Sequence, residues 1–115
     1  MRPEVAKYIY DIQKACSLIS RFAAGKTFAE YAADLLLKSG IERQFEIAGE
    51  ALSQALKVDP SLAGRMAGAN RIVSFRNILI HGYAAVSDEV VWDVVQKHLP
   101  RLRAEVDRLL EETGD

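Results

Sequence analysis

Within the stretch Ser74-Phe75-Arg76-Asn77-Ile78-Leu79-Ile80-His81-Gly82-Tyr83 stand an arginine, an amide, a histidine and a tyrosine whose types suit work on a phosphodiester. A guanidinium binds a phosphoryl group through its planar fork and stabilises the extra charge on a pentacovalent phosphorus. An imidazole titrating near neutrality takes or gives a proton. The Asn77 amide can orient a phosphate or the imidazole. Arg76, Asn77 and His81 together point to metal-independent RNA cleavage, in which the 2′-hydroxyl attacks its own neighbouring phosphate. The plainer role for His81 is to cap carbonyls at a helix end. Tyr83, directly after a glycine, either presents its hydroxyl beside the site or plugs the helix end with its ring.

The element that must position these residues is a helix expected over about Ala69 to His81. Gly82 suits the residue just past its end, where a left-handed conformation stops a helix without a Cβ clash. His81 then lies in the last turn, where the negative end of the macrodipole favours an imidazolium. Arg76 lies five residues earlier, an angular offset of roughly 140°. The two do not share a helix face, so one site holds both only by wrapping the helix edge or by using a second copy of the helix. Chemistry points the same way. Transesterification is served best by a base for the hydroxyl and an acid for the leaving oxygen, and one histidine cannot be both at once. Two chains about a twofold axis would supply two histidines and two arginines. The nearly all-round apolar character of Ile72 to Ile80, with Ile78 and Ile80 among the candidates for burial, fits a helix covered on several sides. A homodimer is therefore expected.

Other candidate chemistry is thin. His98 has no second histidine or cysteine at ligand spacing and reads as a solvated helix residue before Pro100. Glu30, Glu46 and Glu50 read as solvated faces or helix pairs, with Glu50 able to orient Arg43. Cys16 falls on an apolar stripe and reads as an inert core thiol. No Gly-rich phosphate loop and no triad order is present, so neither a metal nor a cofactor is expected. Arg65 and Arg71, with Lys97, Arg101 and Arg103, are candidates for a local phosphate-tracking surface. The formal net charge of −1 argues against indiscriminate nucleic-acid binding by the whole molecule. A lone cysteine rules out an intrachain disulfide and fits a reducing cytoplasm. Lys7, Asp11 and Lys14 interrupt any N-terminal apolar signal region, and no apolar run spans a bilayer. A cytoplasmic protein is expected.

The chain of 115 residues is long enough for one domain, residues 1–115, with a core of its own. A first helix is expected from about Pro3 to Phe22, with Val5, Tyr8, Ile9, Ile12, Cys16, Ile19 and Phe22 at three- and four-residue steps. Thr27 and Glu30 form a capping box that starts a second helix. Ser39-Gly40 reads locally as a break. Asp59-Pro60 marks a turn, and a short helical turn follows at Leu62 to Met66. Ser87 caps a last helix that carries Pro100 inside it, where a kink is expected. No segment alternates with period two. The fold class is all-α, an antiparallel bundle of four or five helices.

The run R-N-x-x-x-H-G-Y, Arg76 to Tyr83, resembles the R-x4-H-x-Y motif of HEPN-superfamily proteins, specifically the HepT-like toxins. Ile41-Glu42-Arg43-Gln44-Phe45-Glu46-Ile47-Ala48-Gly49-Glu50-Ala51 resembles the family's central helix, and Val90-Val91-Trp92-Asp93-Val94-Val95 with Leu99-Pro100 resembles its last one. The resemblance implies a HEPN-like bundle with a short helix near Phe28 to Ala33 and a long one from about Leu35 to Lys57, Gly40 inside it. It implies a dimeric endoribonuclease toxin with a composite site. It further implies a nucleotidyltransferase antitoxin that adenylylates Tyr83. A non-catalytic helical module that binds a nucleotidyltransferase and recruits its substrate is the alternative.

Overall fold

The computed structural model describes residues 1–82 and 86–113, so Tyr83 lies outside the described residues. Helix α1 (Pro3–Ala23) starts on a proline, whose missing N–H costs nothing in a first turn, and buries Val5, Ile9, Ile12, Cys16 and Ile19 along one stripe. Phe22 departs from the expected stripe and is 36% exposed. The left-handed residue that turns the chain after α1 is Gly25, at φ 72°. Thr27 and Glu30 then make both bonds of the capping box, 3.1 and 2.9 Å, and start α2 (Phe28–Ala33). Those bonds hold the Glu30 carboxyl below its ordinary range.

Asp34 caps α3 (Leu35–Val58) by accepting the Leu37 N–H at 3.0 Å. The helix runs through Ser39-Gly40 without a break, as the family pattern implied and the local dipeptide did not. Its 24 residues span about 36 Å, most of the molecule's 43 Å length. A 3₁₀ turn (Pro60–Gly64) leads to α4 (Ala69–His81). The remaining segments are contiguous: α5 (Asp88–Asp93), a π-helical turn (Val94–His98) and α6 (Leu99–Thr113). Pro100 is accommodated by that wide turn, in which the Leu99 N–H reaches back to the Val94 carbonyl. A proline in a regular helix would clash with the carbonyl four residues earlier, and the widened turn relieves this.

Helix α1 packs against α3 and α6, α3 against α4, and α2 against α5. No strand occurs among the described residues, and the architecture is an all-helical bundle. Phe45 and Phe75 lock α3 to α4 edge to face at 5.2 Å, and Tyr31 and Trp92 tie α2 to α5 at 5.1 Å. Cys16 is fully buried in the core, and burial pushes its thiol up to about 12. No helix among the described residues is long and apolar enough to cross a membrane.

Candidate active site

Where α3 and α4 meet, Gly49 faces Arg76. A Cβ on Gly49 would lie 2.3 Å from the Arg76 Cβ, 2.8 Å from its Cγ and 3.4 Å from the Ile72 carbonyl oxygen. The missing side chain therefore lets the base of Arg76 rest directly on α3. From there the guanidinium is held by two acceptors. Its Nη2 donates to Glu50 Oε2 at 2.5 Å and its Nη1 to Asn77 Oδ1 at 2.8 Å. Gln54 Nε2 steadies the other Glu50 oxygen at 3.1 Å. The arginine side chain is 24% exposed and the glutamate's 48%, so the pair sits at the surface with one member half sunk.

This arrangement borders a cleft of about 310 Å³ between α1, α3 and α4, with Tyr8, Asp11, Arg43, Glu46 and Ile80 also on its walls. Its other charges are paired locally, Asp11 with Lys7 at 3.3 Å and Glu46 with Arg43 at 3.2 Å. Glu50 thus serves Arg76, not Arg43, and is the site residue that sequence reasoning missed. Its signal was Gly49-Glu50 inside a long helix, since a glycine there marks a close approach by another element.

His81 stands elsewhere. It is exposed at the end of α4, on the outer face with Asn70, Ser74, Asn77 and Ile78, opposite the buried Ile72, Phe75 and Leu79. It does not line the Arg76 cleft, from whose arginine it is separated by about 7.5 Å of helix rise. Among the described residues it makes no hydrogen bond, so its ring nitrogens are not spent on the helix end. Gly82 closes the helix by donating to the Ile78 carbonyl at 2.7 Å, with φ −106°. This corrects the left-handed stop expected there, because an ordinary backbone bond already satisfies the last turn. Ile78 is a second correction: it is 44% exposed, because nothing among the described residues covers this face.

The chain beyond the motif is also anchored. Ser87 Oγ accepts the Val90 N–H at 3.1 Å, and Lys38 pairs with Asp88 at 3.3 Å. Arg65 pairs with Glu112, while Arg71 lies 3.2 Å from His98 Nε2. His98 is therefore not the freely solvated residue expected but is half-buried against α4. The structure brings Arg76, Asn77 and Glu50 together, sets His81 one turn beyond Asn77 on the outer face and outside the Arg76 cleft, and keeps Arg65 and Arg71 apart.

The family model described as "Ribonuclease HepT-like" matches residues 12–109. A protein of Methanocaldococcus jannaschii named "Gamma-glutamylcyclotransferase and putative RNase" is 29% identical over 112 residues, covering 97% of this chain and 50% of that protein. The chain thus spans about half the length of that relative. Another M. jannaschii protein, named "Putative RNase", is 26% identical over 104 residues, covering 90% of this chain and 94% of its own length. "Probable ribonuclease HepT" of Thermococcus cleftensis is 27% identical over 106 residues, covering 89% and 92% respectively. No solved structure matches the chain.

Proposed function

This chain belongs to the HepT-like ribonuclease family, and from that premise we propose that it is the toxin of a toxin–antitoxin pair and cuts RNA internally without a metal. Arg76 binds the phosphoryl group. A guanidinium has more N–H donors than its bonds to Glu50 and Asn77 use, so those two residues aim it without exhausting it. His81 transfers the proton. In the step itself the 2′-oxygen bonds to phosphorus, the bond from phosphorus to the 5′-oxygen breaks, one imidazole takes the hydroxyl proton and a second, protonated imidazole gives one to the leaving oxygen. The products are a 2′,3′-cyclic phosphate and a 5′-hydroxyl.

The observation that carries this reading is His81, exposed and without a side-chain partner among the described residues, at the end of the helix whose other side fixes Arg76. Within one chain the two groups reach a single phosphate only around the helix edge, since they stand roughly 140° apart. A twofold partner laid on the outer face of α4, over the exposed Ile78, completes the site with a second histidine. The partner nucleotidyltransferase silences the toxin by placing AMP on Tyr83, whose bulk and negative phosphate keep an RNA phosphate away.

Two measurements test the proposal. Sedimentation at micromolar concentration is expected to give a dimer, and a clean monomer defeats the composite site. His81→Ala and Arg76→Ala are each expected to abolish growth inhibition while remaining folded, since neither residue belongs to the core. A folded His81→Ala variant that still inhibits growth favours the non-catalytic binding module instead.

A further inference from the structure

We infer that the recess between the first turn of α4 and the π turn before Pro100 is a second phosphate-binding site, which grips the RNA backbone away from the point of cleavage; this rests on the ribonuclease reading above. The recess is a cavity of about 120 Å³ lined by Gly68, Arg71, His98, Arg101 and Glu105, among others. That is room for a phosphate group and some of its water, a water's share of liquid being about 30 Å³.

Arg71 Nη1 lies 3.2 Å from His98 Nε2. Arginine only donates, so the imidazole nitrogen is the acceptor in this contact. Neither Arg71 nor Arg101 has a carboxylate within ion-pair distance among the described residues, unlike Arg65, Arg43 and Arg76. The start of α4 opens on the same cavity. Gly68 is its N-cap and offers no side-chain acceptor, so the positive end of the helix is left without a cap. Glu105 is the one carboxylate on the wall. One of its oxygens accepts the Ala67 N–H at 3.1 Å, and the other is buried without a partner. Two guanidiniums with no ion pair among the described residues, together with a helix N-terminus, outweigh it.

A phosphate in the recess can take the Arg71 N–H that now points at His98, with Arg101 on the same wall. Arg71 and His81 lie about 15 Å apart along α4 and within about 80° around it, so a strand gripped at one can run towards the other.

The test is binding of a labelled single-stranded RNA whose 2′-hydroxyls carry methyl groups, which the protein cannot cut because the attacking oxygen is blocked. Arg71→Ala with Arg101→Ala should weaken binding about tenfold or more and flatten the salt dependence by about 0.7, the slope for one phosphate on a single strand. Wild-type affinity and salt dependence in this double variant overturn the site. So does an equal loss in Arg21→Ala, which places the strand on the cleft between α1 and α6 instead, and so does a wild type that binds no strand at low salt. Cleavage of ordinary RNA, followed in parallel, judges the ribonuclease reading separately.

Discussion

Replacing Gly49 with alanine puts a methyl group where the base of the Arg76 side chain already lies, 2.3 Å from its Cβ and 2.8 Å from its Cγ. Non-bonded carbons settle at about 3.5–4.0 Å, so α4 must retreat from α3 by roughly 1 Å or more. Both contacts are with the stem of a side chain fixed to a helix backbone, so no flexible end can move aside. Overpacking of this kind costs about 1–3 kcal/mol, while alanine in place of a helical glycine returns up to about 1 kcal/mol. The expected net loss is about 1–2 kcal/mol, a fall in Tm of about 4–8 °C for each kcal/mol in a domain near this size. RNA cleavage should fall further than stability does. The same retreat breaks the 2.5 Å bond between Arg76 and Glu50, and a misplacement of about 1 Å in a positioning group costs on the order of 10²-fold in rate.

Gly40→Ala is the matched control in the same helix. A Cβ there meets only the edge of the Phe22 ring, at 3.5 and 3.6 Å, an ordinary contact. It should gain about 0.5–1 kcal/mol from backbone entropy alone. Thermal melts followed by circular dichroism and a cleavage assay on the two variants settle the matter. If Gly49→Ala melts at or above the wild type and cuts RNA at the wild-type rate, the close approach does not seat Arg76.

Glu50→Ala should change stability by less than about 1 kcal/mol, because a half-exposed ion pair is worth little, yet lower cleavage by releasing Arg76; full activity would make Glu50 dispensable. Tyr83→Phe keeps the ring and removes only the nucleophilic oxygen, so it should stay toxic and gain no AMP by mass when incubated with the cognate nucleotidyltransferase and ATP. A mass increase in that variant would place the modification elsewhere. Cys16 should resist thiolate-selective alkylation at neutral pH until the chain unfolds, and rapid labelling of the native protein would contradict its burial. Because its folded pKa is raised from 9.0 to about 12, its contribution to stability is complete below about 9 and is lost as pH rises towards 12.

The elements were legible wherever local chemistry and periodicity agreed. Pro3, the Thr27–Glu30 box and Ser87 each start a helix where side-chain or ring geometry says they should. Gly40 and Gly49 show where such reading ends. The same residue type in one helix packs against a ring edge at the first position and against the stem of an arginine side chain on another helix at the second. Propensity treats them alike, and only the crossing of α3 and α4 separates them. For the same reason Glu50 reads as part of a solvated face or as a partner of Arg43: its actual partner is 26 residues away, and no spacing rule within one helix reaches Arg76. The partner of His98 is likewise not local, and Pro100 does not simply kink the helix. The chain widens into a π turn instead, which ends at His98 and leaves the ring against Arg71. Arg76 and His81 were correctly expected on different faces, since an offset of five residues follows from helix geometry alone.

The outer face of α4 limits what kind of partner can complete the site. Ile78 and Val90, 44% and 49% exposed, flank a largely apolar groove of about 560 Å³ between α4 and α5. Burying such side chains fully is worth about 1.5–3 kcal/mol each, so half-exposed ones supply only part of that. A specific interface commonly takes about 800 Å² from each partner, more than two side chains provide. The rest of a twofold contact here must come from the polar residues around them, Asn70, Ser74, Asn77 and His81. The proposed twofold interface would then be wet and incompletely closed, held by a small apolar centre with hydrogen-bonding groups at its rim. That form suits the shared cleft proposed above. A fully apolar seam would bind two copies more tightly but would bury His81 and shut out the phosphate it is proposed to meet.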